Sequence, residues 1–354
     1  MRKHVCYCVA ALLALTILVS CEQQPQKQVL QGLAQGSYYA ITYYGDASRH
    51  CAVIASEAKQ SEAIQPDATI AKCIDSIFRA IDLSVNLWVD SSIICRVNRN
   101  EDVILDDIFI DNFNIAQRAA ELSGGYFDPT IGPLVSAWGF SAKDGERRTE
   151  DGEFIDSLRS LVDYRKVRIE DGRLIKENPS IQLDFNAIAQ GYTSDLIGAY
   201  LESQGITDYL VDVGGEILAR GGKPDGSPWV VGIEKPAANW DSEREIQQRV
   251  ELRDKGIVTS GSYRKYVERD GKRYSHCIDP ITGYPVQHQL LSATVIAETS
   301  AWADALASIC MVMGMERSLE IINSLDGVEA YYIFVNDQGE LETLATEGFV
   351  FKQL

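Results

Sequence analysis

Apolar residues recur with helical spacing in four segments of the chain. The first is ATIAKCIDSIFRAIDLS, whose isoleucines lie three or four positions apart, and the second is DNFNIAQRAAELSGG, which ends on Gly124 and Gly125. The third, NAIAQGYTSDLIGAYLESQG, ends at Gly205. The fourth, SAWADALASICMVMG, is apolar on nearly every side and predicts a buried helix. A shorter helix is predicted around residues 318–325.

Short β-branched and aromatic segments between these helices predict strands. QGSYYAITYY, at residues 35–44, predicts the first strand, and DYRKVRIEDGRLIKENPSIQLDF predicts a hairpin that turns at Asp171 and Gly172. Further strands are predicted in DYLVDVGGEILARG, PWVVGIEKP, QQRVELRDKGIVTSG, YRKYVERDGKRYSHCIDP and LSATVIAE, and two short strands follow the last helix. Antiparallel hairpins interrupted by helices predict an α+β fold.

One segment, GGYFDPTIGPLVSAWGF at residues 124–140, concentrates helix-breaking residues and rings around a single acid, Asp128. Prolines fix φ and glycines reach backbone shapes that other residues cannot, so the segment predicts an ordered loop. Its aromatic rings favour a flat ligand. The alternative is a tight Asp-Pro turn, in which the Asp128 carboxylate accepts backbone N–H groups and the rings fill the core.

Composition and charge limit the class of protein. The 354 residues suffice for one large or two ordinary domains, and 45% of them are hydrophobic. The formal net charge of -18 argues against a partner that is bound through its phosphate backbone. The motifs GxGxxG, GxxxxGK[ST], HExxH and GxSxG are absent from the sequence, which argues against Rossmann flavoproteins, P-loop enzymes, zinc proteases and ordinary serine hydrolases.

The N-terminus predicts export. Residues 1–20 form a signal peptide, because Arg2 and Lys3 precede an apolar run that is short for a membrane span. LVSC resembles a bacterial lipobox and predicts lipidation at Cys21, although an ordinary cleaved signal is the alternative. Residues 21–34 predict a flexible tether.

Five cysteines follow Cys21, namely Cys51, Cys73, Cys95, Cys277 and Cys310. Their odd number and the lack of a CxxC pair indicate neither a disulfide framework nor a zinc site. We expect most of them to be small core residues.

Two polar pairs lie in apolar surroundings and have both functional and structural explanations. Asp304 and Ser308 are four residues apart and therefore share a helix face, an arrangement that suits Mg²⁺. The alternative is an aspartate at the helix N-terminus and a serine bonded back along the helix. In LDFNAIAQG, Asp184 ends a strand, and Asn186 is a candidate cap for the helix that follows.

His276 is the remaining candidate for chemistry. It lies in RYSHCIDPITGYP beside a predicted Asp-Pro turn. A histidine in such a place is either a general base near neutral pH or an ordinary surface ring.

The motifs QGSYYAITY, GGYFDPTIGPLVSAWGF, LDFNAIAQGY…D, YLVDVGGE, VTSGSYRKY…DGKRYSHCIDPITGYP and ADALAS occur in an order that resembles the ApbE family, the FAD:protein FMN transferases. The resemblance runs from residue 35 to the C-terminus and implies one domain over residues 35–354. It implies a T-fold-like arrangement of antiparallel sheets flanked by helices, in two intimately packed subdomains. Residues 45–67 have no counterpart in the family and are predicted to form an inserted, mobile surface loop.

The resemblance implies binding of FAD, cleavage of its pyrophosphate with Mg²⁺, and transfer of FMN to a serine or threonine of a target protein. The expected targets resemble the flavin-bearing subunits of sodium-pumping NADH:quinone reductase and Rnf-type complexes. Many members are periplasmic lipoproteins, which implies a lipid-anchored protein of the bacterial cell envelope that faces the periplasm. The alternatives are a Mg²⁺-dependent FAD pyrophosphatase and a flavin-binding lipoprotein without turnover.

The resemblance also implies roles for individual residues. The implied FAD-binding residues are Gln35, Trp88, Tyr126, Phe127, Asp128, Asp184, Gln190 and Ile278. The implied metal ligands are the Ala187 carbonyl with the Asp304 and Ser308 side chains, and His276 is the implied base. Two residues depart from the family pattern, because Gln190 replaces a lysine and Ser308 replaces a threonine. The first change removes a positive charge that would pair with phosphate, whereas the second keeps the hydroxyl.

Overall fold

A computed structural model of the chain describes residues 25–45, 68–141, 151–236, 245–262, 266–269 and 272–352. The predicted signal peptide, Cys21, Cys51 and nearly all of the segment 45–67 lie outside the described residues. No helix in the described part of the chain is long and apolar enough to cross a bilayer.

Eight α-helices and one short 3₁₀ turn at Tyr164–Lys166 form in the described residues. The helices are α1 (Ala68–Val85), α2 (Ile93–Asn98), α3 (Asp107–Ser123), α4 (Gly132–Ala137), α5 (Gly152–Arg159), α6 (Ala189–Ser203), α7 (Ser300–Met313) and α8 (Met315–Asn323). The predicted helices correspond to α1, α3, α6, α7 and α8. Gly124 ends α3 in the left-handed conformation at φ 64°, as its sequence indicates.

The strands are β1 (Gln26–Ala34), β2 (Ser37–Gly45), β3 (Val167–Glu170), β4 (Arg173–Lys176), β5 (Tyr209–Val213), β6 (Glu216–Arg220), β7 (Trp229–Glu234), β8 (Ile246–Leu252), β9 (Lys255–Gly261), β10 (Tyr266–Arg269), β11 (Lys272–Ser275), β12 (Leu290–Ala297), β13 (Glu329–Val335) and β14 (Leu341–Ala345). Eight of them form one sheet in the order β1-β2-β5-β6-β9-β12-β13-β14, and β3-β4, β7-β8 and β10-β11 are separate pairs. Every one of these pairings is antiparallel. The α+β prediction and the hairpin at Asp171 and Gly172 are therefore confirmed.

β1 corrects the predicted tether. The prediction of a flexible segment at 21–34 is wrong for Gln26–Ala34, which pairs along its whole length with β2. Its polarity does not alternate cleanly, since Gln28 is buried while Leu33 is 86% exposed, so the period of two is not visible in the sequence. The predicted first strand is the second, and it begins after a two-residue turn in which Gln35 and Gly36 have φ of 50° and 72°.

α7 is the centre of the largest core cluster. It packs against β9 and β12 on the sheet and against α3, α6 and α8 on its other sides. Its first turn is capped by Thr299, whose hydroxyl accepts from the Trp302 backbone N–H at 3.2 Å. The described cysteines Cys73, Cys95, Cys277 and Cys310 form no disulfide with one another, and Cys95 and Cys310 are buried as predicted.

Candidate active site

The 124–140 segment is fixed by the carboxylate of Asp128. This carboxylate accepts hydrogen bonds from the backbone N–H and the hydroxyl of Thr130, at 2.8 and 2.6 Å, and from the backbone N–H of Tyr164 at 2.8 Å. Burial raises the pKa of Asp128, and these hydrogen bonds oppose the increase. The carboxylate part of the Asp-Pro turn alternative is therefore confirmed, because Asp128 accepts backbone N–H groups that hold the loop.

The four rings of the same segment have two different environments. Phe127 and Trp138 are buried, and the indole N–H of Trp138 donates to the Gly283 carbonyl at 2.8 Å. Tyr126 and Phe140 are only partly buried, and the Tyr126 hydroxyl accepts a hydrogen bond from Arg317 at 2.6 Å. Half of the rings thus fill the core, and the other half remain available to a ligand.

The segment that contains Asp184 lies directly against this loop. The Asp184 backbone N–H donates to the Pro129 carbonyl at 2.8 Å, and Gln182 forms a parallel bridge with Ile131. The Asp184 side chain accepts from the Asn186 backbone N–H at 2.8 Å, and burial raises the pKa of Asp184. The predicted capping role of Asn186 is wrong, because α6 begins after Ile188 without a side-chain cap.

Two aspartates tie the N-terminal turns of α6 and α7 together. Asp304 of α7 accepts a long hydrogen bond of 3.4 Å from the backbone N–H of Gly191 in α6. In the opposite direction, Asp195 of α6 accepts from the backbone N–H groups of Ser300 and Ala301, both at 2.8 Å. The contact requires glycine, since a Cβ on Gly191 would lie 2.6 Å from the Ser300 carbonyl oxygen.

Asp195 is a residue to which the sequence pattern assigned no role. It ends the motif LDFNAIAQGY…D, and its spacing of four from Gly191 places both on one face of α6. That spacing is the signal that would have identified it as a partner of the neighbouring helix. Burial raises the pKa of Asp195 to about 6, against the opposing effects of its two backbone hydrogen bonds and of Arg220.

The oxygen donors around the α6 N-terminus fit a hard cation. Asp304 is 5% exposed, Ser308 follows one turn later on the same face of α7, and Ala187 lies in the turn that precedes α6. Among the described residues, no three His, Cys, Asp or Glu side chains lie close enough to hold a metal. A metal site here would need a carboxylate, a hydroxyl and a carbonyl, completed by water and substrate, which is the pattern of Mg²⁺ sites.

His276 follows β11 and faces the 124–140 segment. Its ring meets the ring of Phe140 edge to face, with 6.4 Å between the centroids. Ile278 is 3% exposed and packs in a cluster with Leu134 and Trp138, so its side chain belongs to the core beneath this loop.

The remaining predicted residues lie around the β1-β2 turn and on the surface. The Gln35 side-chain N–H donates to the Thr193 hydroxyl at 2.9 Å, and the buried Gln35 Oε1 has no partner among the described residues. A Cβ on Gly214 would lie 2.7 Å from the amide nitrogen of Gln190. Trp88 is 61% exposed, between α1 and α2.

These contacts therefore join most of the predicted residues into two neighbouring groups. One surrounds the 124–140 segment and contains Asp184 and His276. The other surrounds the first turns of α6 and contains Asp304, Gln190 and Gln35. The short segment between Asp184 and Gly191 connects them, and Trp88 lies between α1 and α2.

Comparison with known proteins identifies the family to which this chain belongs. A family model described as "ApbE family" matches residues 36–332. The chain belongs to the ApbE family. The match to the ApbE model includes every predicted site residue except Gln35 and Cys21.

Several ApbE relatives cover nearly the whole chain. The FAD:protein FMN transferase of Vibrio cholerae serotype O1 is 33% identical over 316 residues, which are 88% of this chain and 89% of the relative. The Escherichia coli K12 protein of the same name is 33% identical over 92% of this chain and 91% of its own.

Two solved ApbE structures agree with the fold. The flavin transferase ApbE from Vibrio cholerae superposes with a TM-score of 0.77 at 30% identity, over 92% of this chain and 98% of its own. The apo flavinyl transferase ApbE of Pseudomonas stutzeri gives a TM-score of 0.76 at 31% identity, over 92% and 96% of the two chains.

Proposed function

We propose that this protein transfers the FMN half of FAD to a serine or threonine hydroxyl of a target protein, in a Mg²⁺-dependent reaction that releases AMP. Its ApbE relatives are named FAD:protein FMN transferases. The observation that carries the proposal is the buried carboxylate of Asp304 at the N-terminus of α6, with the Ser308 hydroxyl one turn away.

Asp304, Ser308 and the Ala187 carbonyl would hold Mg²⁺. When bound, the ion would neutralise charge that develops on the FAD pyrophosphate as its central bond breaks. The first turn of α6 assists, since its backbone N–H groups and the positive end of its dipole favour a phosphate nearby. Gly191 permits the close packing of α6 and α7 that keeps Asp304 at this helix end.

His276 is the proposed base. The hydroxyl oxygen of the acceptor attacks the FMN phosphorus, the bond from phosphorus to the bridging oxygen breaks, and AMP leaves with that electron pair. The hydroxyl proton passes to the His276 imidazole. Phe140 packs edge to face against this ring, which restricts its orientation.

FAD would lie along the partly exposed groups. Tyr126 and Trp88 offer rings for stacking, and Gln190 and Gln35 offer amides. Asp184 lies between the two groups of site residues. Phe127, Asp128 and Ile278 are buried, so they would shape the wall behind the ligand rather than touch it with their polar or ring atoms.

The proposed location rests on the N-terminal sequence, and the proposed acceptor class rests on the resemblance to the ApbE family. Lipidation of Cys21 after removal of residues 1–20 would anchor the domain to a membrane of the cell envelope, facing the periplasm. The acceptors would resemble the flavin-bearing subunits of sodium-pumping NADH:quinone reductase or Rnf-type complexes.

The test is to incubate the protein with FAD, Mg²⁺ and a candidate acceptor domain, and to weigh the acceptor by mass spectrometry. Transfer predicts a mass gain equal to that of FMN with one equivalent of AMP. His276→Gln should slow transfer by about 10²–10⁴-fold while FAD still binds. Free FMN and AMP with every acceptor left unmodified would favour the pyrophosphatase, and bound FAD without AMP would favour the non-catalytic lipoprotein.

A further inference from the structure

The side chain of Asn98 forms a two-way hydrogen-bonded pair with the backbone of Leu183. Its Nδ2 donates to the Leu183 carbonyl at 2.9 Å, and its Oδ1 accepts from the Leu183 N–H at 2.8 Å. Asn98 is the last residue of α2, and Leu183 is 85 positions away and fully buried. One side chain therefore reproduces the hydrogen bonds that a neighbouring strand would make.

The segment around Leu183 is held residue by residue. The Lys176 ammonium donates to the Ile181 carbonyl at 2.9 Å, Gln182 bridges to Ile131, and the Asp184 N–H donates to the Pro129 carbonyl at 2.8 Å. Within this run, Asn98 satisfies both backbone groups of the residue immediately before Asp184.

We infer that Asn98 is a positioning residue for the turn from Asp184 to Ala187, and hence for the metal and flavin contacts assigned there. The inference rests on the proposed function. Its physical basis is distance along the chain, because Leu183 precedes Asp184 directly and Ala187 follows three residues after Asp184, in the turn before α6. Removing the Asn98 amide frees both backbone groups of Leu183 in a buried place, and the turn shifts to find new partners.

Asn98 also joins this turn to the surface that carries Trp88. α2 begins directly after the segment that holds Trp88, where Ser92 caps its first turn at 3.2 Å. α2 has only six residues, so a shift at one end displaces the other. The Asn98 pair thus links the backbone segment that carries Trp88, through α2, to the Asp184 turn.

The experiment compares Asn98→Ala and Asn98→Asp with Asn100→Gly in the whole protein. Asn100 is a matched control, because it lies two residues on and its side chain donates one hydrogen bond, to Pro179 at 3.1 Å. Glycine also tolerates the positive φ of 61° at that position. Asn98→Asp keeps the acceptor for the Leu183 N–H and loses the donor.

The first readout is hydrogen exchange of the peptide that spans residues 181–190, without FAD or Mg²⁺. The second is the apparent Mg²⁺ constant for AMP release, together with kcat at saturating FAD. Asn98→Ala should speed hydrogen exchange in that peptide. It should also weaken Mg²⁺ binding and lower kcat, each by about 10-fold or more, as loss of a residue behind a metal ligand does. Asn98→Asp should give an exchange rate, an apparent Mg²⁺ constant and a kcat between those of wild type and Asn98→Ala. Asn100→Gly should keep all three quantities within about twofold of wild type.

Unchanged exchange and an unchanged Mg²⁺ constant in Asn98→Ala would overturn the inference, even if the melting temperature fell. If Asn98→Ala does not fold, the same comparison with Asn98→Asp decides. Failure of the proposed function is distinguishable, because wild type itself would then release no AMP, whereas the exchange measurement would still test the Asn98 pair.

Discussion

Gly191→Ala perturbs the closest contact between α6 and α7. A Cβ at this position would lie 2.6 Å from the Ser300 carbonyl oxygen and 2.8 Å from the Ala301 Cα. Both atoms belong to the backbone of α7 and cannot rotate away. Since non-bonded atoms prefer about 3.5–4 Å, the helices must separate by roughly 1 Å.

The stability cost of Gly191→Ala is modest and its functional cost is large. Overpacking costs about 1–3 kcal/mol, and the better helix propensity of alanine returns about 1 kcal/mol, so the net loss of unfolding free energy is about 1 kcal/mol. A displacement of about 1 Å moves Asp304 away from Ala187 and should lower the rate of AMP release by about 100-fold.

The assay measures AMP release at saturating FAD and Mg²⁺, normalised to the folded fraction from urea unfolding. Gly198→Ala is the control, because it lies two turns further along α6, where a Cβ would meet the side chains of Leu218 and Tyr209 instead of backbone. It should keep activity within about threefold, since side chains can adjust. Activity of Gly191→Ala within the same range would refute the argument that helix spacing sets the site.

Three further variants test individual contacts. Asp195→Asn removes a carboxyl group whose pKa is raised by burial to about 6 in the folded protein. Protonation of Asp195 therefore stabilises the folded state fully below about pH 4, and this contribution is lost as the pH rises through 6. In urea unfolding, the unfolding free energy of wild type should fall by about 2–3 kcal/mol relative to that of the variant between pH 4 and pH 8. Asp128→Ala should lower the unfolding free energy by about 2–4 kcal/mol, because it strands the N–H donors of Thr130 and Tyr164. Gln190 Nε2 and Glu216 Oε2 would lie 2.7 and 3.0 Å from a Cβ on Gly214, so a lysine at position 190 would sit beside the Glu216 carboxylate, and Gln190→Lys should change the KM for FAD less than about threefold. Gln190→Lys combined with Glu216→Gln should lower the KM for FAD to about a tenth of the wild-type value.

Elements with strong periodicity were predictable from the sequence, and β1 was not. α7 is apolar on nearly all sides and proved to be the buried centre of the fold, and the Asp171-Gly172 pair marked its hairpin directly. β1 lies at the edge of the sheet, where exposed and buried positions both accept polar and apolar residues, so Gln28 and Leu33 reverse the expected pattern.

The candidate site was predictable as a set of residues but not as a set of contacts. The spacing of Asp304 and Ser308 specifies a shared helix face, yet nothing in it identifies Gly191 as the backbone that Asp304 meets. Asn98 ends a six-residue helix without a motif of its own, and its partner Leu183 lies 85 positions away. Such pairs depend on the tertiary fold, which a single sequence does not display.

The most direct test of the metal role of Asp304 is the rate of AMP release from FAD as Mg²⁺ is titrated, in wild type, Asp304→Asn and Asp326→Asn, a control at an exposed position. If Asp304 holds the ion, AMP release depends on Mg²⁺ in wild type and in Asp326→Asn, and Asp304→Asn loses about 10²-fold or more of the rate, which excess Mg²⁺ only partly restores. Equal rates and equal Mg²⁺ dependence in all three proteins would contradict this role of Asp304.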